Sequence, residues 1–323
     1  MPEFLKGTIT DIGIAQNVDK LHRDIIEFQK QTNPILEEMV LQQCNSGTVH
    51  KAALRTALPA VAWRMLNKGI KPGKSGKRQE TFTCGQMMAM AQIDEDEVVL
   101  NGGDEYRLAE NRAFQIQMNN TMARTLFYGD EKVNPAGFTG LGAYYYSLVK
   151  ANCEAADYVF DAGGTGSSLT SLWFVVWDAA TIHGIFPQNT KAGFEYRDNG
   201  RVKAYDDAGA EYYVLEAQYK WYLGLAVKDY RYASRVANID VTAANAGFLD
   251  LLIAAYNRLE NVSLGKAAIY CNRSVKTLLD KLAQSKANVN LSVETYAGKP
   301  TTQFWGIPVR VCDGILNAES QVV

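Results

Sequence analysis

The spacing of apolar positions predicts one long helix in the first half of the chain. Over residues 105–128 an apolar stripe recurs at helical spacing. The stripe comprises Leu108, Ala109, Ala113, Ile116, Ala123, Leu126 and Phe127. Acidic residues at 104–105 oppose the positive end of the helix dipole, and Gly129 supplies the stop. Residues 15–43 carry a second helical pattern, which the Asn-Pro pair at 33–34 interrupts.

After residue 150 the pattern changes to that of β-strands. The run LTSLWFVVWD, 169–178, predicts one buried strand. Residues 193–233 predict a meander, with hairpin turns at 198–200 and 207–209. Glu216 and Lys220 lie on one face of its third strand by period 2. The opposite face carries Tyr213, Leu215, Ala217, Tyr219, Trp221 and Leu223.

The C-terminal part alternates between helix and strand. Residues 240–260 predict a helix and residues 267–272 a strand. The stripe of that helix is Phe248, Leu252, Ala255 and Leu259. A second helix is predicted at 274–284 with Ser274 as its N-cap. A last strand pair, VNLSVE and TQFWGIPVRVCD, ends the fold.

Between the two predicted helices of the first half lies a long exposed excursion with separated charges. Residues 67–81 are rich in glycine and lysine, and residues 81–93 predict the strand that returns from it. Between residues 64 and 78 the chain carries six basic residues and no acidic one: Arg64, Lys68, Lys71, Lys74, Lys77 and Arg78. Between residues 94 and 105 it carries six acidic residues and no basic one: Asp94, Glu95, Asp96, Glu97, Asp104 and Glu105. Two interpretations stay open: two solvated surfaces, or a basic arm that lies on the acidic patch of a second copy.

Composition excludes several classes of protein. The 323 residues carry a net charge of −2, which argues against binding nucleic acid by bulk electrostatics. Five cysteines lie far apart in sequence and predict reduced, mostly buried thiols. The N-terminal residues carry no signal-peptide pattern. The most apolar run, at 172–177, is too short to span a bilayer, so we expect no membrane segment.

Motifs for catalysis or metal binding are missing from the sequence. Its three histidines, His22, His50 and His183, have no metal-ligand spacing, and a structural role is favoured for His183. The Gly-rich stretch at 161–168 lacks the lysine of a phosphate loop and predicts a flexible turn. The acids around 94–97 are expected in solvent. We therefore expect no catalytic residue, cofactor or metal.

One short stretch, LFYGDEKVNPAGFTGL at 126–141, predicts a packing joint after the long helix. Its aromatic residues are expected to pin the helix to the sheet: Phe127, Tyr128 and Phe138. Its glycines are expected to let the backbone turn between domains: Gly129, Gly137 and Gly140.

Five segments, in order, resemble the major capsid proteins of tailed bacteriophages, particularly short-tailed, podovirus-like phages. They are RTALPAVAWRMLNKGIKPGKSGKRQETFTCG at 55–85, the joint at 126–141, SLWFVVWDAATIHGIFPQNTKAGFEYRDNG at 171–200, VKDYRYASRVANIDV at 227–241 and TTQFWGIPVRVCDGIL at 301–316. The resemblance covers residues 45–320, and the closing segment is similar to one that recurs across the HK97-like capsid fold.

The resemblance implies an α+β fold of the HK97-like type. Its parts would be an extended arm (the E-loop), a peripheral domain with the spine helix 105–128 and a central axial domain. The expected boundaries are an N-terminal arm with helices at 1–54, the hairpin arm and its base at 55–93, the peripheral domain at 94–150, the axial domain with its β meander at 151–300, and a closing strand at 301–323 that returns to the peripheral domain.

The resemblance also implies partners and a location. Copies of the chain would form pentamers and hexamers of an icosahedral shell, assembled in the bacterial host cytoplasm and found in the virion. The shell would enclose double-stranded DNA without sequence-specific binding. A portal protein, a scaffolding protein and a cement or decoration protein are further implied partners.

Two departures and two alternatives accompany the resemblance. Some relatives carry a longer scaffolding segment before the arm than the 1–54 found here, so we expect a separate scaffold. Some relatives cross-link arm lysines, and Lys68, Lys71, Lys74 and Lys77 qualify only by position. The alternatives are a nanocompartment shell of the same fold that binds cargo enzymes, and a soluble enzyme with a scattered site near His183.

Overall fold

The computed structural model describes residues 33–100, 104–205, 209–241, 247–284, 291–296 and 299–323. These residues form six α-helices: α1 (Ile35–Glu38), α2 (Glu95–Leu100), α3 (Asp104–Tyr128), α4 (Leu141–Tyr144), α5 (Phe248–Arg258) and α6 (Arg273–Gln284). The same residues form thirteen strands: β1 (Leu41–Gln43), β2 (Val49–Ala57), β3 (Gly76–Asp94), β4 (Val159–Asp161), β5 (Thr170–Trp177), β6 (Ile182–Phe186), β7 (Gly193–Tyr205), β8 (Glu211–Val227), β9 (Ala233–Ile239), β10 (Lys266–Cys271), β11 (Leu291–Tyr296), β12 (Lys299–Phe304) and β13 (Ile307–Val311).

Strand β5 forms the centre of the core. All eight of its residues are buried, and it pairs with β9, β10 and β6. A strand covered on both faces has no polar side, which explains its unbroken apolar run. From β5 the sheet continues in the order β6, β8, β3, β2 on one side and β10, β13, β12, β11 on the other. The predicted strand at 169–178 is confirmed.

Strands β3 and β8 form a long antiparallel ladder that extends beyond this core. Their register runs from Cys84 opposite Gly224 to Asp94 opposite Val214. β3 also pairs with β2, and residues 58–75 connect these two strands. The return strand predicted at 81–93 is therefore present, and it begins earlier, at Gly76.

The observed meander differs from the predicted one in two details. The Asp-Asn-Gly signal at 198–200 is no turn, because it lies inside β7 at a shift of register against β8. Gly200 has φ +70° and its N–H donates to Asp198 Oδ1 at 2.8 Å, so the same signal forms a β-bulge. Glu216 is buried although it was expected on the polar face, since Gln92 and Asn199 both donate to its carboxylate. Most of the signal at 207–209 lies outside the described residues.

Near both ends of the chain, several helices and strands begin or end at other residues than the sequence predicts. Residues 15–32 lie outside the described residues, whereas 41–43, predicted as helix, pair as β1 with β6. Asn272, not Ser274, caps α6, because its side chain accepts from the Val275 N–H at 2.8 Å. The closing segment forms two strands, since a turn with positive φ at Trp305 and Gly306 separates β12 from β13.

Helix α3 confirms the prediction at 105–128, but its N-terminal stripe was wrong. Ala113 and Ile116 face solvent in the single chain. The buried face there carries polar residues four apart: Arg107, Asn111, Gln115 and Asn119. Arg107 forms a buried ion pair at 2.7 Å with Asp198 of the bulge. Asp198 on β7 thus accounts for Arg107 on this buried face, and Asn33 donates to Asn119 near its other end. Apolar periodicity does not detect such a face.

The C-terminal residues complete the core through a buried ion pair. Arg235 of β9 donates to Glu319 at 2.8 Å, and both side chains are nearly inaccessible. Ser171 of β5 and the Tyr128 hydroxyl at the end of α3 also donate to this carboxylate. Arg235 donates further to the Tyr145 carbonyl at 2.9 Å. Three separate parts of the chain, β5, β9 and the end of α3, therefore meet at Glu319.

Replacing Glu319 by Ala should lower the free energy of unfolding by about 3–5 kcal/mol, because the Arg235 guanidinium would stay buried without its partner. Urea denaturation of the unassembled chain measures this loss. The matched control is Glu260→Ala, which removes an exposed pair with Arg231 and should cost under about 1 kcal/mol. Equal losses for the two variants would contradict the importance of the buried pair.

Candidate assembly surfaces and the helix joint

The C-terminal end of α3 is fixed to the core by aromatic residues. The Phe127 ring centre lies 6.1 Å from that of Trp173 in β5 and 6.4 Å from that of Tyr270 in β10. The Tyr128 hydroxyl accepts from the Leu316 N–H at 3.1 Å and donates to Glu319. Phe138 is buried in the same core. The three aromatic residues of the predicted joint therefore lie where the helix meets the sheet and the closing segment.

The glycines of the joint allow close approach of two backbones rather than unusual turns. The Gly140 N–H donates to the Gly129 carbonyl at 2.8 Å. A Cβ on Gly129 would lie 2.4 Å from the Phe138 carbonyl oxygen, and one on Gly140 would lie 2.4 Å from that of Thr125. Neither of these glycines, nor Gly137, has a positive φ, and their expected role in letting the backbone turn between domains stays a prediction. Residues 138–142 cross directly against the last turn of α3 and Gly129.

The arm, residues 58–75, exposes a group of large apolar side chains. Trp63 is fully exposed, and the others are Leu58, Val61, Met65, Leu66 and Ile70. Four lysines interleave with or follow them: Lys68, Lys71, Lys74 and Lys77. All four are exposed, and none has an ion pair within the described part of the chain. A single copy thus leaves both the apolar and the charged groups of its arm in water.

Arg78 and the acidic patch, residues 94–97, are partly engaged within the same copy. Arg78 donates to both carboxylate oxygens of Glu154, at 2.6 and 3.0 Å. Glu95 pairs with Arg201 at 2.7 Å. Asp94 accepts from the Asp96 N–H at 2.8 Å. Asp96 and Glu97 are exposed, and the side chains at 104–105 lie outside the described residues. No ion pair among the described residues joins an arm lysine to Asp94 or Glu95.

His183 lies in the core and not in an open site. Its side chain is inaccessible, and its ring centre lies 5.5 Å from that of His50. Burial, then the positive charges of Lys228 and His50, lower the pKa of His183 to about 3, while Asp178 opposes the shift. Both imidazole nitrogens lack a partner among the described residues. A neutral, inaccessible ring of this kind is compatible with the structural role that the sequence favours.

No group of three His, Cys, Asp or Glu side chains within the described ranges is arranged to hold a metal ion. In the same ranges, no helix is long and apolar enough to cross a membrane.

Sequence reasoning missed the polar face of α3 and the partners of Glu319. The repeat of polar residues every fourth position from Arg107 to Asn119 was a usable signal. Arg235 and Glu319 are 84 residues apart, and nothing local marks either residue as buried.

Comparison with known proteins gives a consistent result. Residues 17–323 match a family model described as major capsid protein GP7. A chain from the cryo-EM structure of bacteriophage Epsilon15 is 28% identical, with a TM-score of 0.71 and 90% of each chain covered. No curated protein sequence matches.

Two further solved structures are more distant. A chain of the bacteriophage JBD30 capsid is 9% identical at a TM-score of 0.46, covering 88% of this chain and 91% of its own. A chain of the SrpI encapsulin complex from Synechococcus elongatus PCC 7942 is 9% identical at 0.41, covering 66% and 89%. Likenesses this weak carry no argument between a phage shell and a nanocompartment.

The joint predicts a sharp contrast between two glycines. Gly140→Ala should lower the free energy of unfolding by about 2–3 kcal/mol, because its Cβ would strike the Thr125 carbonyl. Gly137→Ala is the matched control, since the nearest atom to its Cβ is 3.5 Å away.

Phe138→Ala should lower the free energy of unfolding by about 3–5 kcal/mol through the cavity it leaves. Urea denaturation measures all three; an unchanged Phe138→Ala variant would refute the packing joint.

The buried His183 predicts a pH dependence of stability. An unfolded histidine has a pKa of about 6.5, so between pH 6.5 and about 3 the unfolded chain binds a proton that the folded chain does not. Stability is therefore lost as pH falls through this window, by about 1.4 kcal/mol per pH unit from this one group.

His183→Leu should remove that contribution. Urea denaturation of both proteins at several pH values between 4 and 7 measures the slopes, and carboxylates contribute equally to each. Identical slopes for the two proteins would show that folding does not lower the pKa of His183.

Proposed function

Because the chain belongs to the GP7 family of major capsid proteins, we propose that its copies assemble as pentamers and hexamers into a closed icosahedral shell that encloses double-stranded phage DNA. The protein is a structural component of a phage capsid, and its α+β fold is the HK97-like capsid fold. The single observation that carries the proposal is the family match over 17–323. The shell would hold the DNA without reading its sequence, in keeping with a net charge of −2.

The proposal divides the chain into parts with separate tasks. Residues 1–54 are an N-terminal arm, 55–93 the hairpin arm and 94–150 a peripheral domain with α3 as its spine helix. Residues 151–300 are the axial domain, and 301–323 return to the peripheral domain. The contacts of Tyr128 with Leu316 and Glu319 support that return.

The arm is proposed to lie on a neighbouring copy. A segment of this length without secondary structure cannot compensate the entropy lost when it orders by itself. Its exposed apolar side chains, Trp63 foremost, would be removed from water only against another surface. A buried tryptophan commonly dominates an interface, at about 2 kcal/mol or more. Each exposed lysine pair with the acidic patch would add only about 0.2–1 kcal/mol.

Other partners follow from the family and are part of the proposal. Assembly would take place in the bacterial host cytoplasm, with a separate scaffolding protein, a portal protein and a cement or decoration protein. No catalytic activity is proposed, and His183 supports none, because its ring is inaccessible.

Many modest contacts, each near the lower end of specific interfaces at about 1,000 Å², become collectively strong in a closed shell.

Electron microscopy with sedimentation tests the proposal. The protein would be expressed alone and together with the neighbouring phage genes, so that a separate scaffold is supplied. Closed particles or capsomer rings are expected. A stable monomer under every condition, scaffold included, would overturn it.

Arm variants in the same assay test how the copies meet. Lys71→Glu with Lys74→Glu should reduce the yield of particles several-fold at low salt, because both charges would then repel the acidic patch of the neighbour. The matched control reverses Lys132 and Lys191, which are exposed outside the arm. Trp63→Ser should reduce assembly at every salt concentration, since apolar burial is not screened. Normal shells from the Lys71 and Lys74 variant would remove the charge contact from the proposal.

A further inference from the structure

Two thiols from distant parts of the sequence touch in the structure. The Sγ atoms of Cys44 and Cys84 are 3.3 Å apart, and both cysteines are free. This distance is that of a direct contact between two unbonded sulfurs. A disulfide bond would bring the two Sγ atoms to about 2.05 Å. The sulfurs are therefore neighbours already, before any oxidation.

Separate hydrogen-bond ladders fix the two cysteines. The Cys44 N–H donates to the Phe186 carbonyl at 2.9 Å and so prolongs the pairing of β1 with β6. Cys84 is held in β3 opposite Gly224 of β8. At Gly224 a Cβ would lie 3.1 Å from the Cys84 Cα, so the absence of a side chain there brings the strands close. The fold itself keeps the thiols together.

One of the two thiols is open to a reagent. Cys44 is buried, whereas Cys84 is partly exposed and lines an open cleft of about 360 Å³. The cleft lies between β3 and the joint, and its other lining residues are Thr48, Val49, Thr83, Glu131, Pro135 and Gly137. A small disulfide in the cleft would reach Cys84 first, with Cys44 directly behind it.

We propose that Cys44 and Cys84 form a modification site, at which a low-molecular-weight disulfide such as oxidised glutathione converts the two thiols to an intrachain disulfide. The Cys84 thiolate attacks one glutathione sulfur, which forms a mixed disulfide and releases one glutathione as thiol. The Cys44 thiolate then attacks Cys84 Sγ and releases the second glutathione. Two protein thiols are oxidised, one glutathione disulfide is reduced to two thiols, and the two protons pass to the departing sulfurs.

The reaction is slow at neutral pH and faster in base. Burial raises the pKa of Cys44, and burial together with the neighbouring Cys44 raises that of Cys84. Only the thiolate attacks, so raising the pH speeds both steps. The product joins the end of β1 to β3, the strand that carries the arm. The cross-link restricts the unfolded chain across residues 44–84 and stabilises the fold against heat.

Full-length protein incubated with oxidised glutathione at pH 8.5 tests the site. Thiol titration should fall from five to three groups per chain, and tryptic peptides 31–51 and 79–107 should appear as one linked species. The thermal midpoint should rise by several degrees and return after dithiothreitol. The reaction should be markedly slower at pH 7.

Variants distinguish this site from other thiol chemistry. Cys44→Ser should stop at the mixed disulfide on Cys84, detected as one added glutathione, and Cys84→Ser should leave Cys44 unmodified. Cys153→Ser is the matched control, since its thiol only donates to the Tyr144 carbonyl at 3.0 Å, and it should still form the linked species. Five titratable thiols after incubation of the wild-type chain, or a link between Cys271 and Cys312 in place of the proposed one, would overturn the assignment.

Discussion

The buried pair of Arg235 and Glu319 is the interaction on which the arrangement of the other elements depends. A guanidinium removed from water is stabilised only if its donors are used, and here they reach Glu319, Ser171 and the Tyr145 carbonyl. The carboxylate in turn accepts from Tyr128. Because Glu319 lies in the closing segment, the core is complete only when that segment has returned across it.

The same network sets the direction of α3. Tyr128 ties the end of the helix to the closing segment, and Phe127 next to it packs on β5 and β10. Immediately beyond, the Gly129 and Gly140 backbones meet at 2.8 Å. These contacts surround the last turn of the helix on several sides. Its other end is held differently, by the ion pair of Arg107 with Asp198 in the bulge of β7.

The two ends of α3 show what sequence patterns detect. Apolar periodicity located the helix and its C-terminal stripe, because Leu126 and Phe127 pack on an apolar core. It failed in the N-terminal half, where the covering strands offer polar partners such as Asp198. The unbroken apolar run of β5 was equally clear, since no residue of that strand meets water.

Other features depend on contacts that local sequence does not encode. An Asn-Gly pair forms a turn or a bulge according to the partner strand, and β8 continues past Gly200. The sequence shows the glycines of the joint but not the structural reason why glycine is needed at these positions. Gly140 is required by the Thr125 carbonyl beneath it, which only the crossing of the two segments reveals. The five resembling segments identified the fold where residue patterns alone left it open.

The arm combines exposed apolar side chains, which favour association, with lysines, which oppose the association of two arms. Its apolar side chains, with Trp63 fully exposed, favour association with any apolar surface. The lysines from Lys68 to Lys77 give every arm the same charge, so two arms repel when they approach each other. In the proposed assembly this repulsion would be relieved where a neighbouring copy presents acidic groups. Apolar burial would then supply the strength of the contact, and the lysines would determine its place.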